Sequence, residues 1–179
     1  TMLKLLDGLE VMARRGDLIT YAREYLSRYP DSPEAIDVVK RLGDALVRNN
    51  KRIEAADAYR ALWLHKPVNA NREAAQRASE LYVNTGNGRI RIRAAQMAES
   101  LLDKLPANEF TLRSGFRAVN EYRAISRWAE ANFAAQKMLK KGLPLTRRMK
   151  RELHELMASS YASQSQWANS VGSIKQARG

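Results

Sequence analysis

Prolines that recur at nearly equal intervals restrict most strongly what this chain can fold into. The offset from Pro33 to Pro67 is 67 − 33 = 34, and the next offsets are 106 − 67 = 39 to Pro106 and 144 − 106 = 38 to Pro144. Between them lie pairs of apolar-periodic segments of about a dozen residues, the length of a short globular helix. Gly, Asn and Ser occupy the turns within the pairs. The spacing therefore predicts a repeated helix–turn–helix unit.

The sequence predicts five such hairpins, and hence ten helices in an all-α fold. The predicted helices are Met2–Arg14, Leu18–Tyr29, Glu34–Arg48, Ile53–His65, Arg72–Asn84, Ile90–Leu105, Phe110–Ala124, Trp128–Lys141, Arg147–Ala162 and Trp167–Arg178. The hairpin units cover residues 1–33, 34–67, 68–106, 107–144 and 145–179. One hairpin cannot bury its apolar face alone, so we expect the units to stack into a single α-α superhelix, or solenoid.

The last two units are similar to each other in sequence. Tyr161 follows Tyr122 and Trp167 follows Trp128 at one common offset, 161 − 122 = 167 − 128 = 39. Two aromatic residues kept at one offset support an internal repeat.

Small residues in the second hairpin predict where its two helices approach closely. Gly43 on the first helix and Ala55 on the second are interpreted as facing contact points. The apolar side chains expected to fill the remaining groove are Leu46, Ala58, Tyr59 and Leu62. Pro67 then ends the second helix.

This hairpin resembles the tetratricopeptide repeat (TPR) family. The residues at that family's characteristic positions are Leu42, Gly43, Ala55, Tyr59 and Pro67, with Tyr82 and Tyr161 at the first-helix tyrosine of later units. The chain departs from the pattern because no unit has the first-helix tryptophan, Ser170 replaces a second-helix alanine, and "GNGRIRIR" is an insertion. The resemblance implies a right-handed superhelix whose first helices line a concave face.

The resemblance also implies that first-helix residues on the concave face bind an extended peptide or a partner helix. Projected onto this chain, they are Lys40, Asp44, Val47, Arg48, Gln76, Glu80, Asn84, Arg113, Asn120, Arg123, Glu155 and Ser159. The arginines suit bidentate contacts with carboxylates, and the asparagines suit hydrogen bonds to a ligand backbone. The alternative is that these residues form solvated helix faces without a partner.

Positive charge is concentrated in the second half of the chain. Of the net charge of +12, residues 1–89 carry 15 − 12 = +3 and residues 90–179 carry 16 − 7 = +9. A basic patch is predicted at the joint between the fourth and fifth units, formed by Lys140, Lys141, Arg147, Arg148, Lys150 and Arg151. It fits an acidic protein, nucleic acid or another anionic polymer, or serves solubility alone. Because no base-reading motif accompanies it, nucleic acid is not the expected main partner.

Catalysis, metals and cofactors are not predicted. The chain has no cysteine, and its two histidines, His65 and His154, lack the spacing of a helical zinc site. The five hairpins occupy the whole chain, and no apolar run is long enough to span a bilayer. Trp63, Trp128 and Trp167 are predicted to be core residues rather than platforms for base stacking.

The expected function is therefore a non-enzymatic scaffold that binds a protein or peptide, with acidic segments among the candidates. One alternative is a periplasmic TPR segment of a bacterial exopolysaccharide-export or envelope assembly machine, and another is a nucleic-acid-associated factor. The sequence leaves both the cytoplasm and the periplasm open. We also expect a piece of a larger repeat protein, with an open apolar face at residues 167–177 available for a homodimer or an inter-domain contact.

Overall fold

The computed structural model describes residues 2–178, and within this range the chain is all-helical with no β-strand. Its ten α-helices are α1 (Met2–Val11), α2 (Arg15–Arg28), α3 (Ala35–Arg48), α4 (Arg52–His65), α5 (Arg72–Val83), α6 (Gly88–Lys104), α7 (Glu109–Ala124), α8 (Trp128–Lys140), α9 (Arg147–Ser163) and α10 (Trp167–Arg178). A short 3-10 helix, Asn69–Asn71, precedes α5. The prediction of an all-α fold with ten helices is confirmed. The largest boundary differences, three residues each, are at the end of α1 and the start of α2.

The helices form two compact units, Thr1–Thr85 with α1 to α5 and Gly86–Gly179 with α6 to α10. Within each unit, every helix packs against the next one along the chain. This sequential packing is the arrangement predicted for stacked hairpins and is characteristic of a TPR-like solenoid. The boundary between the two units falls in the turn of the third predicted hairpin.

Four of the hairpin turns have the same backbone geometry. In each, one non-glycine residue adopts the left-handed conformation, with φ between 53° and 60°: Ala13, Asn50, Ser126 and Ser165. The next N–H donates to the carbonyl five residues earlier, at 2.8–2.9 Å, in the pairs Arg14–Leu9, Lys51–Leu46, Arg127–Tyr122 and Gln166–Tyr161. This is the Schellman bond that satisfies carbonyls at a helix end. Ser126 and Ser165 have the same offset as the repeated aromatic residues, so this turn follows the same internal repeat.

Gly43 is a point of close approach between α3 and α4, as the sequence predicts. The group that fills the space above it is the Tyr59 ring, and a Cβ at Gly43 would overlap this ring. Ala55 is fully buried, as is Leu46. In the second unit, Gly115 is covered in the same way by the Met138 side chain.

The prediction that all three tryptophans are core residues is confirmed for Trp63, whereas Trp128 is only partly buried and Trp167 is exposed. Trp63 is fully buried, whereas the exposed fraction of Trp167 is 64%. The buried positions of α10 are Ser170 and Ser173. The Ser170 hydroxyl donates to the Ala158 carbonyl at 2.9 Å, so α10 packs on α9 through small polar residues. The indole of Trp167 is not needed for this packing and faces solvent.

Candidate functional site

Four residues of the predicted binding face come together in one cleft of the first unit. Lys40 and Asp44 from α3 and Gln76 and Glu80 from α5 line this α3–α5 cleft, whose volume is about 410 Å³. Tyr59, Glu73 and Arg77 complete its polar lining. The i, i+4 spacing places Lys40 and Asp44 on one face of α3, which is why the sequence could predict this pair.

The hydrogen bonds inside the cleft are either long or formed between two residues of the same helix. The Asp44 carboxylate accepts bonds from the Tyr59 hydroxyl at 3.3 Å and from Arg77 Nη2 at 3.5 Å. Gln76 donates to Glu80 Oε1 at 2.8 Å, one turn along the same helix. The two bonds to Asp44 lie at or beyond the usual range of distances, so a ligand can replace them at little cost.

Tyr59 serves this cleft as a neutral donor. Its ring is 3% exposed, and burial together with the negative charge of Asp44 raises the pKa of Tyr59 to about 12. The hydroxyl therefore keeps its proton at neutral pH and can donate to Asp44 or to the Lys40 carbonyl.

Both signs of charge are present in the cleft. Lys40 and Arg77 are cations, while the acids are Asp44, Glu73 and Glu80. The lining thus offers donors and acceptors, and its Gln76 amide supplies both. Such a surface suits the alternating N–H and C=O groups of an extended peptide.

The other predicted residues of α3 and α5 lie outside this cleft. Arg48 and Asp44 line a small neighbouring cleft of about 50 Å³ between α1 and α3. Val47 is 36% exposed, and Asn84 is also exposed.

Arg41 was not singled out from the sequence, yet it links α1 and α3 in this small cleft. It hydrogen-bonds to Asp7 and, at 2.8 Å, to Asp37, and lies 3.5 Å from Glu10. The bond to Asp7 is the largest cause that raises the pKa of Arg41. The i, i+4 pair with Asp37 was readable from the sequence, whereas the contact with Asp7 on another helix was not.

In the second unit, the predicted binding residues differ in how firmly the protein already holds them. Arg113 and Asn120 are exposed on α7. Arg123 Nη2 donates to the hydroxyl of Ser159 on α9 at 3.0 Å, and Arg123 Nε is buried without a hydrogen-bond partner. Glu155 accepts a bond from Arg151 at 2.8 Å. Arg123 and Glu155 are therefore engaged within the protein.

The predicted basic patch is only partly assembled. Arg147, Arg148, Lys150 and Arg151 line a cleft between α9 and α10, and Arg178 of α10 joins them. Lys140 and Lys141 do not line it, and Lys141 Nζ donates to the Asp103 carbonyl at 3.3 Å. The sequence did not indicate Arg178, because this residue joins the patch only through the packing of α10 on α9.

An apolar cleft between α2, α3 and α4 was also not predicted. It has a volume of about 520 Å³, and its lining includes Val39, Leu42 and Leu46, of which only Leu46 was predicted from the sequence to lie in the apolar groove of the hairpin. The ion pair between Arg23 and Glu54, at 2.6 Å, lies at its edge.

Residues 2–178 contain no group of three or more Asp, Glu, His or Cys side chains arranged to hold a metal ion. No helix in this range is long and apolar enough to cross a bilayer. His154 has a buried Nδ1 without a hydrogen-bond partner, and burial lowers the pKa of this imidazole.

No protein-family model matches the chain, and no curated protein sequence matches it. Among solved structures, the chain is similar to MamA MSR-1, with 16% identity, coverage of 99% of this chain and 92% of that chain, and a TM-score of 0.49. A structure of MamA 41-end from Desulfovibrio magneticus RS-1 matches with 11% identity, coverage of 99% and 91%, and a TM-score of 0.46. MamA AMB-1 matches with 16% identity, coverage of 98% of this chain and 87% of that chain, and a TM-score of 0.49. The repeated hairpin turns and the sequential packing of helices within each unit are features of this chain itself and are TPR-like.

Proposed function

We propose that this protein is a non-enzymatic interaction scaffold that binds an extended peptide segment of a partner protein in the α3–α5 cleft. The observation that carries the proposal is the convergence of Lys40, Asp44 and Gln76 in one polar cleft. Its lining combines both signs of charge with amide and hydroxyl groups, which favours a segment of mixed charge over a strongly acidic one.

Each group has a defined task in this proposal. Lys40 and Arg77 donate to carbonyls or acidic side chains of the segment, and Asp44 accepts from its N–H groups. Gln76 exchanges its bond with Glu80 for one donor and one acceptor contact with the peptide backbone. The remaining predicted contacts of the first unit are Val47 and Arg48 on α3 and Asn84 after α5. Arg113, Asn120 and Arg123 on α7 are predicted contacts of the second unit by itself.

The test is selection of randomised short peptides on the full chain, followed by affinity measurements with the enriched peptides. The cleft variant is Asp44→Ala/Gln76→Ala. The control, Glu152→Ala/Gln96→Ala, removes one exposed acid and one exposed amide elsewhere. Loss of two hydrogen bonds at about 1 kcal/mol each predicts binding weaker by roughly 10- to 30-fold in the cleft variant.

The control variant should bind the enriched peptides like the parent. Equal affinity of all three proteins would place peptide binding elsewhere on the chain and refute the α3–α5 cleft as the site. Failure to enrich any peptide would refute the scaffold function in its peptide-binding form.

A further inference from the structure

The cleft between α9 and α10, in the second unit, is lined mainly by cations. Its volume is about 510 Å³, and five cationic residues from the two helices face it: Arg147, Arg148, Lys150, Arg151 and Arg178. Among the described residues, no Asp or Glu belongs to its lining, which also includes Gln176 and His154. The five side chains are exposed, and together they make this cleft strongly electropositive.

Helix stability does not explain why four of these cations lie where they do. They fall within the first five residues of α9, and its first turn contains no acid. The helix dipole makes an N-terminus electropositive, so cations there are unfavourable. By contrast, α3, α4 and α7 carry Asp37, Glu54 and Glu109 in their first turns, whereas α1, α6 and α10, like α9, have no acid there.

The ion pair of Arg151 offsets little of this charge. Arg151 Nε bonds to Glu155 at 2.8 Å, but the two side chains are 65% and 54% exposed. An exposed pair of this kind contributes little, since water and salt screen it. Arg178 lies in the last turn of α10, where the helix dipole favours a cation, so its position has a structural explanation that the α9 cations lack.

We propose that the α9–α10 cleft binds a compact ligand carrying several adjacent phosphate groups. Its arginines present planar guanidinium forks that match phosphate oxygens, Lys150 adds a point charge, and the Gln176 amide adds a further donor. An acidic peptide fits this lining less well, because Ala177 is the one apolar residue among the described lining residues and offers little to hold an apolar side chain. The cleft is thus a second site, distinct in chemistry from the mixed-charge α3–α5 cleft.

The test uses tripolyphosphate as the probe and measures its binding to the full chain by titration calorimetry at low salt. The cleft variant is Arg148→Glu/Arg178→Glu. The control, Lys4→Glu/Arg89→Glu, reverses two exposed cations in the first turns of α1 and α6 and changes the net charge equally. We expect binding at least about tenfold weaker in the cleft variant, and within about twofold of the parent in the control.

Three results would overturn the proposal. Absence of binding by the parent is the first, and equal weakening in both variants is the second, since it would indicate attraction to net charge alone. The third is equal competition by sulfate at matched ionic strength, which would indicate an adventitious ion only.

Two further measurements keep these outcomes interpretable. A circular dichroism melt of each variant establishes that it is folded. If Arg148→Glu/Arg178→Glu does not fold, the neutral variant Arg148→Gln/Lys150→Gln is used in its place. A single-stranded oligonucleotide distinguishes a polymer ligand. If it binds the parent and not the cleft variant while tripolyphosphate binds neither, a nucleic acid occupies the cleft and the compact ligand is wrong.

Discussion

Gly43 lies directly beneath the Tyr59 ring, so the effect of adding one methyl group there can be predicted. In an open helical position, Gly→Ala stabilises a helix by about 0.5–1 kcal/mol because it restricts the unfolded chain. Gly172 in α10 is such a position, with open space around its Cβ. We expect Gly172→Ala to raise the free energy of unfolding and Gly43→Ala to lower it, by about 1–3 kcal/mol through overpacking.

Urea denaturation of the two single variants and the parent measures both effects. Gly43→Leu should be at least as destabilising as Gly43→Ala. Equal stabilisation by alanine at both positions would contradict the close contact between Gly43 and Tyr59.

His154 predicts a pH dependence of stability in the mildly acidic range. Burial lowers the pKa of this imidazole below its usual 6.5. The unfolded chain then binds a proton more readily than the folded one, so this group's contribution is fully present above pH 6.5 and is lost as pH falls through the folded pKa. The melting temperature should fall as the pH is lowered from neutral to mildly acidic, and His154→Gln should reduce that fall.

The control for this experiment is His65→Gln, because His65 is the other histidine of the chain. If the melting temperature of His154→Gln falls with pH as much as that of the parent, the burial of this ring does not affect the stability of the fold.

At the scale of helices, the cations in the first turn of α9 allow us to predict whether reversing a charge raises or lowers the stability of the protein. Arg148→Glu replaces a cation by an acid at a helix N-terminus and should stabilise the protein by about 0.3–1 kcal/mol at low ionic strength. Lys175→Glu, in the last turn of α10, makes the same charge change at a C-terminus and should destabilise it by a similar amount. Urea denaturation at low and high salt measures both. Shifts of the same sign in the two variants would contradict the dipole argument.

Helices were the best predicted part of this structure, because their signals are local. Apolar residues at helical spacing, followed by Asn50, Ser126 or a proline, place the ends within three residues. The exposure of Trp167 was not predictable in this way. Its sequence position matches that of Trp128, but burial depends on which other helix covers the ring, and periodicity carries no information about that neighbour.

At the scale of the whole molecule, each compact unit has its own apolar core. Leu46 is fully buried in the cluster of the first unit and Leu153 in that of the second. Leu46→Ala and Leu153→Ala should each cost about 2–5 kcal/mol. Hydrogen exchange should show that each substitution lowers amide protection chiefly in its own unit. Uniform loss of protection along the chain in both variants would indicate one cooperative unit instead.

The candidate site was only partly predictable from sequence, because some of its contacts join residues of different helices. Lys40 and Asp44 lie one turn apart, so their common face follows from helix geometry. Arg77 approaches Asp44 from another helix, and Arg178 joins the α9 cations from the last turn of α10. These contacts depend on how helices pack, and one sequence without a structure does not define that packing.

The turn shared by four hairpins has a consequence for how such a chain can change in length. Ala13, Asn50, Ser126 and Ser165 close their hairpins with the same bond between an N–H and the carbonyl five residues before it. A segment cut at Ser126 and at Ser165 therefore begins and ends in equivalent backbone conformations. Duplicating this segment would insert two helices, α8 and α9, between turns of equivalent backbone conformation, so the chain can be lengthened by whole repeat units through recombination at its turns.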